Sequence, residues 1–197
     1  IKSNHKDADL FIITGDLTHF GKEESYKKFY LILNDSNFPQ HLYPKLLIGN
    51  HDNRNIFKKK FVNYPADKNG FIQYFEDKKD SRFIFLDTNQ ADTDQGYFCN
   101  QRQNWLIDIL NKSDNKSVYL FMHHNPLPLT YLSNDQIGLQ QREEFKLILK
   151  NFKKIIKHIF FGHQHITVSG NYLGIPFSSP RSTWSPLVPN FSKKYRL

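Results

Sequence analysis

A chain of 197 residues is long enough for one domain with a full hydrophobic core, and 39% hydrophobic and 15% aromatic residues exclude a disordered protein. No apolar run approaches the roughly 20 residues that a membrane-spanning helix needs. The single cysteine, Cys99, excludes an internal disulfide, and no secretory signal is recognisable, so we expect a cytoplasmic location.

The formal net charge is +8, from 27 Lys and Arg against 19 Asp and Glu. Such a balance attracts anions in general, including nucleic acids. Most of the lysines stand together on stretches that are typical of solvated surface: residues 27–28, 58–60, 153–154 and 193–194. We therefore interpret the charge as solvated surface rather than as a dedicated nucleic-acid face.

Five short apolar runs in chain order predict buried strands: residues 9–16, 45–50, 82–88, 117–123 and 158–163. Apolar residues at helical spacing predict helices over residues 26–33, 105–110 and 145–152. A polar turn at residues 77–80 predicts a β-hairpin, and residues 127–137 predict an exposed loop. Alternating strands and helices with a hairpin predict one layered α/β domain over residues 1–197.

Four of the five apolar runs end in residues that bind metals well: Gly15-Asp16, Asn50-His51-Asp52, His123-His124 and Gly162-His163-Gln164-His165. Taken alone, the first is typical of a turn and the third of packed or solvated histidines. In α/β sheets, however, ligands bind beyond the carboxyl ends of the strands. Side chains at positions i and i+2 of an extended segment also point to one side. Together the four segments predict a metal site.

The residue types indicate the chemistry of that site. The Asp16 carboxylate can bridge two cations, neutral imidazoles suit zinc and iron, and the Asn50 amide oxygen adds an uncharged ligand. Two metal ions about 3.5–4 Å apart orient an attacking hydroxide and neutralise a phosphoryl oxygen. An imidazole that is not a ligand can then donate a proton to the departing alkoxide. This combination indicates hydrolysis of a phosphate ester.

The same four motifs, in the same order over residues 9–179, resemble those of calcineurin-like metallophosphoesterases. The sequences GDLTHFGKEESYKKF, GNHDNR, GFIQY and FMHHNP are similar to the class III cyclic-nucleotide phosphodiesterase branch, which includes glycerophosphodiesterases. The resemblance implies a four-layer αββα sandwich. It also implies a hydrolase of small phosphodiesters, such as the 3′,5′-cyclic nucleotide cAMP or a glycerophosphodiester.

The resemblance implies a ligand set for two metal ions, which would be iron, manganese or zinc. Asp16 is the bridging carboxylate. Asn50, His123 and His163 hold one ion with it, and His165 holds the other.

It implies roles for four further residues. His51 is the general acid or transition-state electrophile, oriented by Asp52. Arg54 approaches a substrate phosphate, with solvated surface as the alternative, and His124 faces the substrate opening. The remaining histidines are predicted to be surface or packing residues: His5, His19, His41 and His158.

The sequence departs from the family pattern in three places. The family's opening strand with its Asp-x-His motif is absent, so we expect the chain to be N-terminally truncated and the second metal site to be incomplete. His19 stands where relatives usually have Asp, and we expect it near the site but not as a core ligand. Asn125 replaces the more common Pro.

Two other functions stay open. A nuclease of the same family would use the basic charge, but residues 127–137 offer Tyr131 and no Lys or Arg, which disfavours it. A catalytically impaired binding module is the other alternative. A homodimer is also left open, with residues 191–197 as the start of a dimerising tail.

Overall fold

The computed structural model describes residue 5, residues 7–129 and residues 133–187. The strands in this part of the chain are β1 (Ile12–Ile13), β2 (Lys45–Leu46), β3 (Tyr74–Lys78), β4 (Ser81–Phe85), β5 (Ser117–Met122), β6 (Ile156–Phe161), β7 (Val168–Tyr172) and β8 (Ile175–Ser179). The α-helices are α1 (Glu23–Asp35), α2 (Arg54–Lys60), α3 (Asn100–Asn111) and α4 (Arg142–Phe152), and 3₁₀ turns cover Gln40–Leu42 and Ser133–Ile137. The α/β class is confirmed, and so are the three predicted helices, which are α1, α3 and α4.

Helix α2 was not predicted, because its seven residues are too short to show a helical period. Its start is nevertheless encoded locally. The Asn53 side chain accepts hydrogen bonds from the backbone N–H of Asn55 and Ile56, which satisfies donors that a helix N-terminus leaves free. Phe57 then buries the first turn against the core.

The strands form two sheets. The larger has the order β3-β4-β5-β6-β8-β7, in which β4, β5, β6 and β8 run parallel while β3 and β7 are antiparallel edge strands. The predicted hairpin is confirmed as the β3–β4 pair. The smaller sheet is a parallel pair of β1 and β2. Only two residues of each strand pair there, so these strands are shorter than the apolar runs that predicted them.

Strand β5 shows how the layers arise. Its side chains alternate between two faces, as in any strand. Val118, Leu120 and Met122 lie in the core that also holds the buried faces of α3 and α4. Tyr119 and Phe121 point the other way, towards the smaller sheet. One strand therefore contributes to two separate cores.

Three cores separate four layers. Between the two sheets, Phe121 stacks on Phe85 and Phe160 with ring centroids 5.2 and 4.8 Å apart, and Leu47, directly after β2, joins them. A third core places α1 and α2 on the outer face of β1 and β2. The order α, β, β, α confirms the predicted four-layer sandwich.

At the end of the predicted loop, Ile137 lines a pocket with the metal-site residues. The predicted exposure is wrong for Leu127 and Leu129, which are buried against the β5 core. Asn125 anchors this segment: its Nδ2 donates to Leu127 O at 2.8 Å, and its Oδ1 accepts from Gln164 at 2.6 Å.

Tyr131 and residues 191–197 lie outside the described residues. Within the described part, no helix has the length and apolar character needed to cross a membrane. The described lysines of the basic clusters are exposed or partly exposed, which agrees with solvated surface.

Candidate metal centre and adjoining cleft

The predicted strand-end residues meet beyond the carboxyl ends of β1, β2, β5 and β6. His123 Nε2 lies 3.3 Å from Asp16 Oδ2 and 3.0 Å from Asn50 Oδ1, and His163 Nδ1 lies 3.0 Å from the same amide oxygen. Two ligands of one metal ion, each about 2.1 Å from it, lie roughly 3.0–3.4 Å apart. These four side chains are therefore spaced like the donors of a single ion.

Unusual backbone geometry allows this approach. Asp16 and His163 have φ values of 54° and 64°, in the left-handed region of backbone conformation that residues other than glycine rarely adopt. Gly49 packs directly against Asp16 and His123. A Cβ on Gly49 would collide with Asp16 Oδ1 and lie 2.7 Å from His123 Cε1, so only glycine fits at this position.

Hydrogen bonding prepares His123 to act as a ligand. A carbonyl oxygen only accepts, so the Nδ1–H of His123 donates to Thr14 O at 2.8 Å. This bond leaves Nε2 facing the oxygens of Asp16 and Asn50. Metal-bound histidines commonly hold their second nitrogen in this way, which fixes the ring and its tautomer.

The charges of the cluster also suit cation binding. Burial opposes ionisation of Asp16, yet His123 and the His51 N–H hold the pKa of this carboxyl below its usual range. Burial lowers the pKa of His123, but the Asp16 carboxylate outweighs it and raises that pKa overall. Burial and the nearby His123 lower the pKa of His163 to about 3, so His163 is neutral and its lone pair is free for a metal ion at neutral pH.

His165 lies beside this cluster. It lines a small pocket of about 130 Å³ together with Asp16, Asn50 and His163. Of the predicted ligands within the described chain, Asp16 and His165 are the ones left for a second ion.

His124 is not at the substrate opening, so that prediction is wrong. Its side chain is fully buried, with Nδ1 2.8 Å from Thr88 Oγ1. Burial and the neighbouring imidazoles of His123 and His163 lower the pKa of His124 well below its usual value. The Nε2 atoms of His124 and His163 are buried without a hydrogen-bond partner. The ligand atoms of these three histidines all lie within 4.8 Å of one another, which also suits a metal ion.

Asp52 does not orient the His51 ring, which corrects its predicted role. Its buried carboxylate instead accepts hydrogen bonds from the backbone N–H groups of Gly49, Leu17 and Thr18 at 2.9–3.2 Å and from the Tyr26 hydroxyl at 2.8 Å. Burial raises the pKa of Asp52 to about 6, although these hydrogen bonds oppose the rise. Asp52 thus ties the loop after β1 to the loop after β2.

The His51 ring is oriented by the backbone of His19 instead. The Nδ1–H of His51 donates to His19 O at 2.9 Å, and the two rings lie 5.0 Å apart. His19, predicted to lie near the site without being a core ligand, contacts His51 directly. The backbone N–H of His51 donates to Asp16 Oδ1 at 3.1 Å, which places this residue directly beside the donor cluster.

Arg54 is not a solvated surface residue. Its guanidinium makes two bonds of 2.6 and 2.8 Å to the buried Asp87 carboxylate and a third of 2.7 Å to Asn89 O. The Asn89 side chain donates in turn to Gly49 O and Asp52 O at 2.7 and 3.0 Å. Contact between Arg54 and a substrate phosphate stays a prediction.

Asp87, Thr88 and Asn89 are site residues that sequence reasoning missed. The signal was present, since they end the strand run of β4 as the other motifs end theirs. Asp94 was missed as well: its Oδ1 accepts from Asn50 Nδ2 at 3.1 Å and so keeps the amide oxygen turned to the histidines. Asp94 lies in a loop without periodicity, so no sequence pattern marks it.

An open cleft of about 430 Å³ adjoins the cluster. It runs past His51 and Arg54, and its other lining residues come from residues 19–21, 50–55 and 89–94. The cleft has room for a small organic group beside the cluster.

The fold is that of the metallophosphatases. A dimetal phosphatase from Danio rerio superposes with a TM-score of 0.69 at 14% identity, covering 88% of this chain and 72% of that one. Purple acid phosphatase from yellow lupin superposes with a TM-score of 0.59 at 12% identity, covering 88% of this chain and 37% of that one.

Sequence comparison identifies the family of the chain. The family model described as calcineurin-like phosphoesterase matches residues 1–167, and the chain belongs to this metal-dependent family. A protein of Rhodopseudomonas palustris named probable cyclic nucleotide phosphodiesterase is 32% identical over 92% of this chain and 65% of its own length. A glycerophosphodiester phosphodiesterase of Enterobacter lignolyticus is 27% identical over 80% of this chain and 56% of its own length. The chain thus spans less than two thirds of these relatives.

Proposed function

We propose that the chain is a metal-dependent phosphodiesterase that hydrolyses a small substrate, either a 3′,5′-cyclic nucleotide such as cAMP or a glycerophosphodiester. The observation that carries this proposal is the contact between Asp16, Asn50, His123 and His163 directly beside His51. The names of the related cyclic-nucleotide and glycerophosphodiester phosphodiesterases support the choice of substrate.

The donor set fits a metal ion. Asp16, Asn50, His123 and His163 would hold one ion, and Asp16 with His165 would contribute to a second. When bound, two ions of iron, manganese or zinc would supply Lewis acidity at the phosphoryl group. Carboxylate, amide and imidazole donors suit these metals.

His51 would supply the proton that the leaving group needs. Its Nδ1–H is committed to His19 O, so Nε2 is the nitrogen free to act on a substrate. In the imidazolium form, Nε2–H can donate to a departing alkoxide. The bond to His19 holds the ring still while it does so.

The nuclease alternative gains little from the cleft. Among the described residues that line it, Arg54 is paired with Asp87, and Asp92 and Asp94 bring negative charge. A nucleic-acid backbone would require the opposite balance.

Metal content and hydrolysis together test the proposal. Chelator-treated protein should lose hydrolysis of bis(p-nitrophenyl) phosphate and cAMP, and Mn²⁺, Fe²⁺ or Zn²⁺ should restore it. Mass spectrometry should find at most one tightly bound ion per chain, accompanied by slow hydrolysis, because the second position has few ligands. Two tight ions and full activity would show that other ligands complete the site.

Paired variants separate a ligand from an ordinary histidine. His163→Ala should lose the metal, whereas His41→Ala, which changes an exposed histidine, should keep it. Hydrolysis that needs no metal, or full metal retention in His163→Ala, would overturn the proposal. Metal binding without any hydrolysis would favour the binding-module alternative.

A further inference from the structure

The cleft beside His51 has an aromatic wall that proton transfer does not use. His19 and Phe20 both line it. The Phe20 side chain is 72% exposed, and it is the one strongly exposed large apolar side chain of the described chain that lines the cleft. A single exposed phenylalanine needs no explanation on an open surface. An exposed phenylalanine in the cleft beside the donor cluster does need an explanation.

The wall is a continuous series of rings. The His19 and Phe20 rings have centroids 4.1 Å apart, and the His19 ring is 5.0 Å from that of His51. Separations of this size are typical of interacting aromatic rings. The aromatic surface therefore extends outwards from the proposed proton donor along the cleft.

The segment that carries these rings is held on both sides. Gly21 N donates to Thr18 Oγ1 at 2.9 Å, and Thr18 N donates to Asp52 Oδ1 at 3.2 Å. Gly21 also packs so tightly that a Cβ on it would lie 2.9 Å from the backbone nitrogen of Asn53. A ring carried by a held backbone segment loses less conformational freedom on ligand stacking than one on a free loop.

We propose that His19 and Phe20 form a stacking subsite for an aromatic ring on the organic group of the phosphodiester, namely the base of a nucleotide. The inference rests on the proposed function and narrows it, because a glycerophosphodiester has no ring to stack. The cleft volume of about 430 Å³ lies in the range of small-molecule pockets. Asn55, Gln90 and Asp92 add amide and carboxylate groups that can bind the polar edge of a base.

Binding of matched ligands tests the subsite without relying on turnover. Ribose 5-phosphate has a hydroxyl where adenosine 5′-monophosphate has its base, so the ratio of their dissociation constants measures the contribution of the base. Calorimetry on the Mn²⁺-loaded full chain should show the nucleotide binding roughly 5- to 100-fold more tightly, as expected for one base stacked on an aromatic side chain.

Variants then test whether the aromatic wall causes that preference. Phe20→Ala should bring the two dissociation constants within about 2-fold of each other, and Phe20→Trp should keep the preference. Phe75→Ala removes another exposed phenylalanine, on β3 and outside the cleft lining, and should leave the ratio unchanged. Circular dichroism confirms that each variant is folded.

The outcomes separate this inference from the function on which it rests. Equal binding of both ligands by the unmodified chain, or a preference that survives Phe20→Ala, overturns the subsite. Hydrolysis of bis(p-nitrophenyl) phosphate in the same preparation would then leave the phosphodiesterase proposal standing. If neither ligand binds and no diester is hydrolysed, both proposals fall together.

Discussion

Asn89 should control both the stability of the domain and its affinity for metal, because its side chain clamps the loop that carries Asn50 and His51. It is 3% exposed, and its Nδ2 donates to Gly49 O at 2.7 Å and to Asp52 O at 3.0 Å. Asn89→Ala removes both donors at once.

The expected cost follows from what each carbonyl loses. Gly49 O also accepts from Asp52 N at 3.2 Å, so it keeps one partner and the loss there is about 0.5–1.5 kcal/mol. The hydrogen bond to Asp52 O is lost outright, and a buried acceptor left unsatisfied costs about 1–3 kcal/mol. The free energy of unfolding should fall by about 1.5–4.5 kcal/mol, which lowers the melting temperature by roughly 3–18 °C for a domain of this size.

Asn89→Ala should also lower the affinity for metal. A loosened loop no longer holds the Asn50 amide against its histidine neighbours, and loss of such a supporting contact typically weakens metal binding by roughly 10- to 100-fold.

Urea denaturation monitored by circular dichroism measures the free energy of unfolding. Calorimetry with Mn²⁺ measures the metal affinity. The matched control is Asn55→Ala, which removes an exposed amide from the same cleft and should change stability by no more than about 0.5 kcal/mol. If Asn89→Ala is as stable as this control and binds metal equally well, the clamp has no energetic role and the reasoning is wrong.

Four further outcomes are expected. His51→Ala should keep its metal and lose roughly 10²–10⁴-fold in the rate of diester hydrolysis, whereas equal metal loss in His51→Ala and His163→Ala would contradict the assigned roles. Gly49→Ala should lose metal, measured by mass spectrometry, because its Cβ collides with two donor side chains. Phe121→Ala should lower the free energy of unfolding in urea by about 3–5 kcal/mol, since its ring stacks between those of β4 and β6. Burial lowers the pKa of His123, but the adjacent Asp16 carboxylate raises that pKa overall, so a proton competes with the metal for this imidazole. The metal affinity measured by calorimetry should therefore fall as the pH drops through the raised pKa.

Much of the fold was readable from local sequence, because strand and helix periods are local properties. The apolar run along residues 117–123 predicted β5, and the apolar spacing along residues 145–152 predicted α4. The polar residues that end the strand runs predicted where donors gather, since parallel strands end at one edge of a sheet. Asp16 and His163 were found in this way although 147 positions of chain, from 16 to 163, separate them.

The tertiary structure decided what each polar group contacts. His123 and His124 are neighbours of the same type, yet one turns to Asp16 and Asn50 while the other turns to Thr88. Successive residues at the end of a strand face different surroundings, and those surroundings come from other elements.

The same reason explains Asp52 and Asn89. Asp52 lies next to His51 in sequence, but its carboxylate is fixed by backbone groups of the loop after β1. Asn89 reaches carbonyls of residues 49 and 52, about forty positions earlier in the chain. The sequence predicted the four side chains that the structure brings together, namely Asp16, Asn50, His123 and His163. Their hydrogen-bond partners are set by packing between distant segments, which no local period encodes.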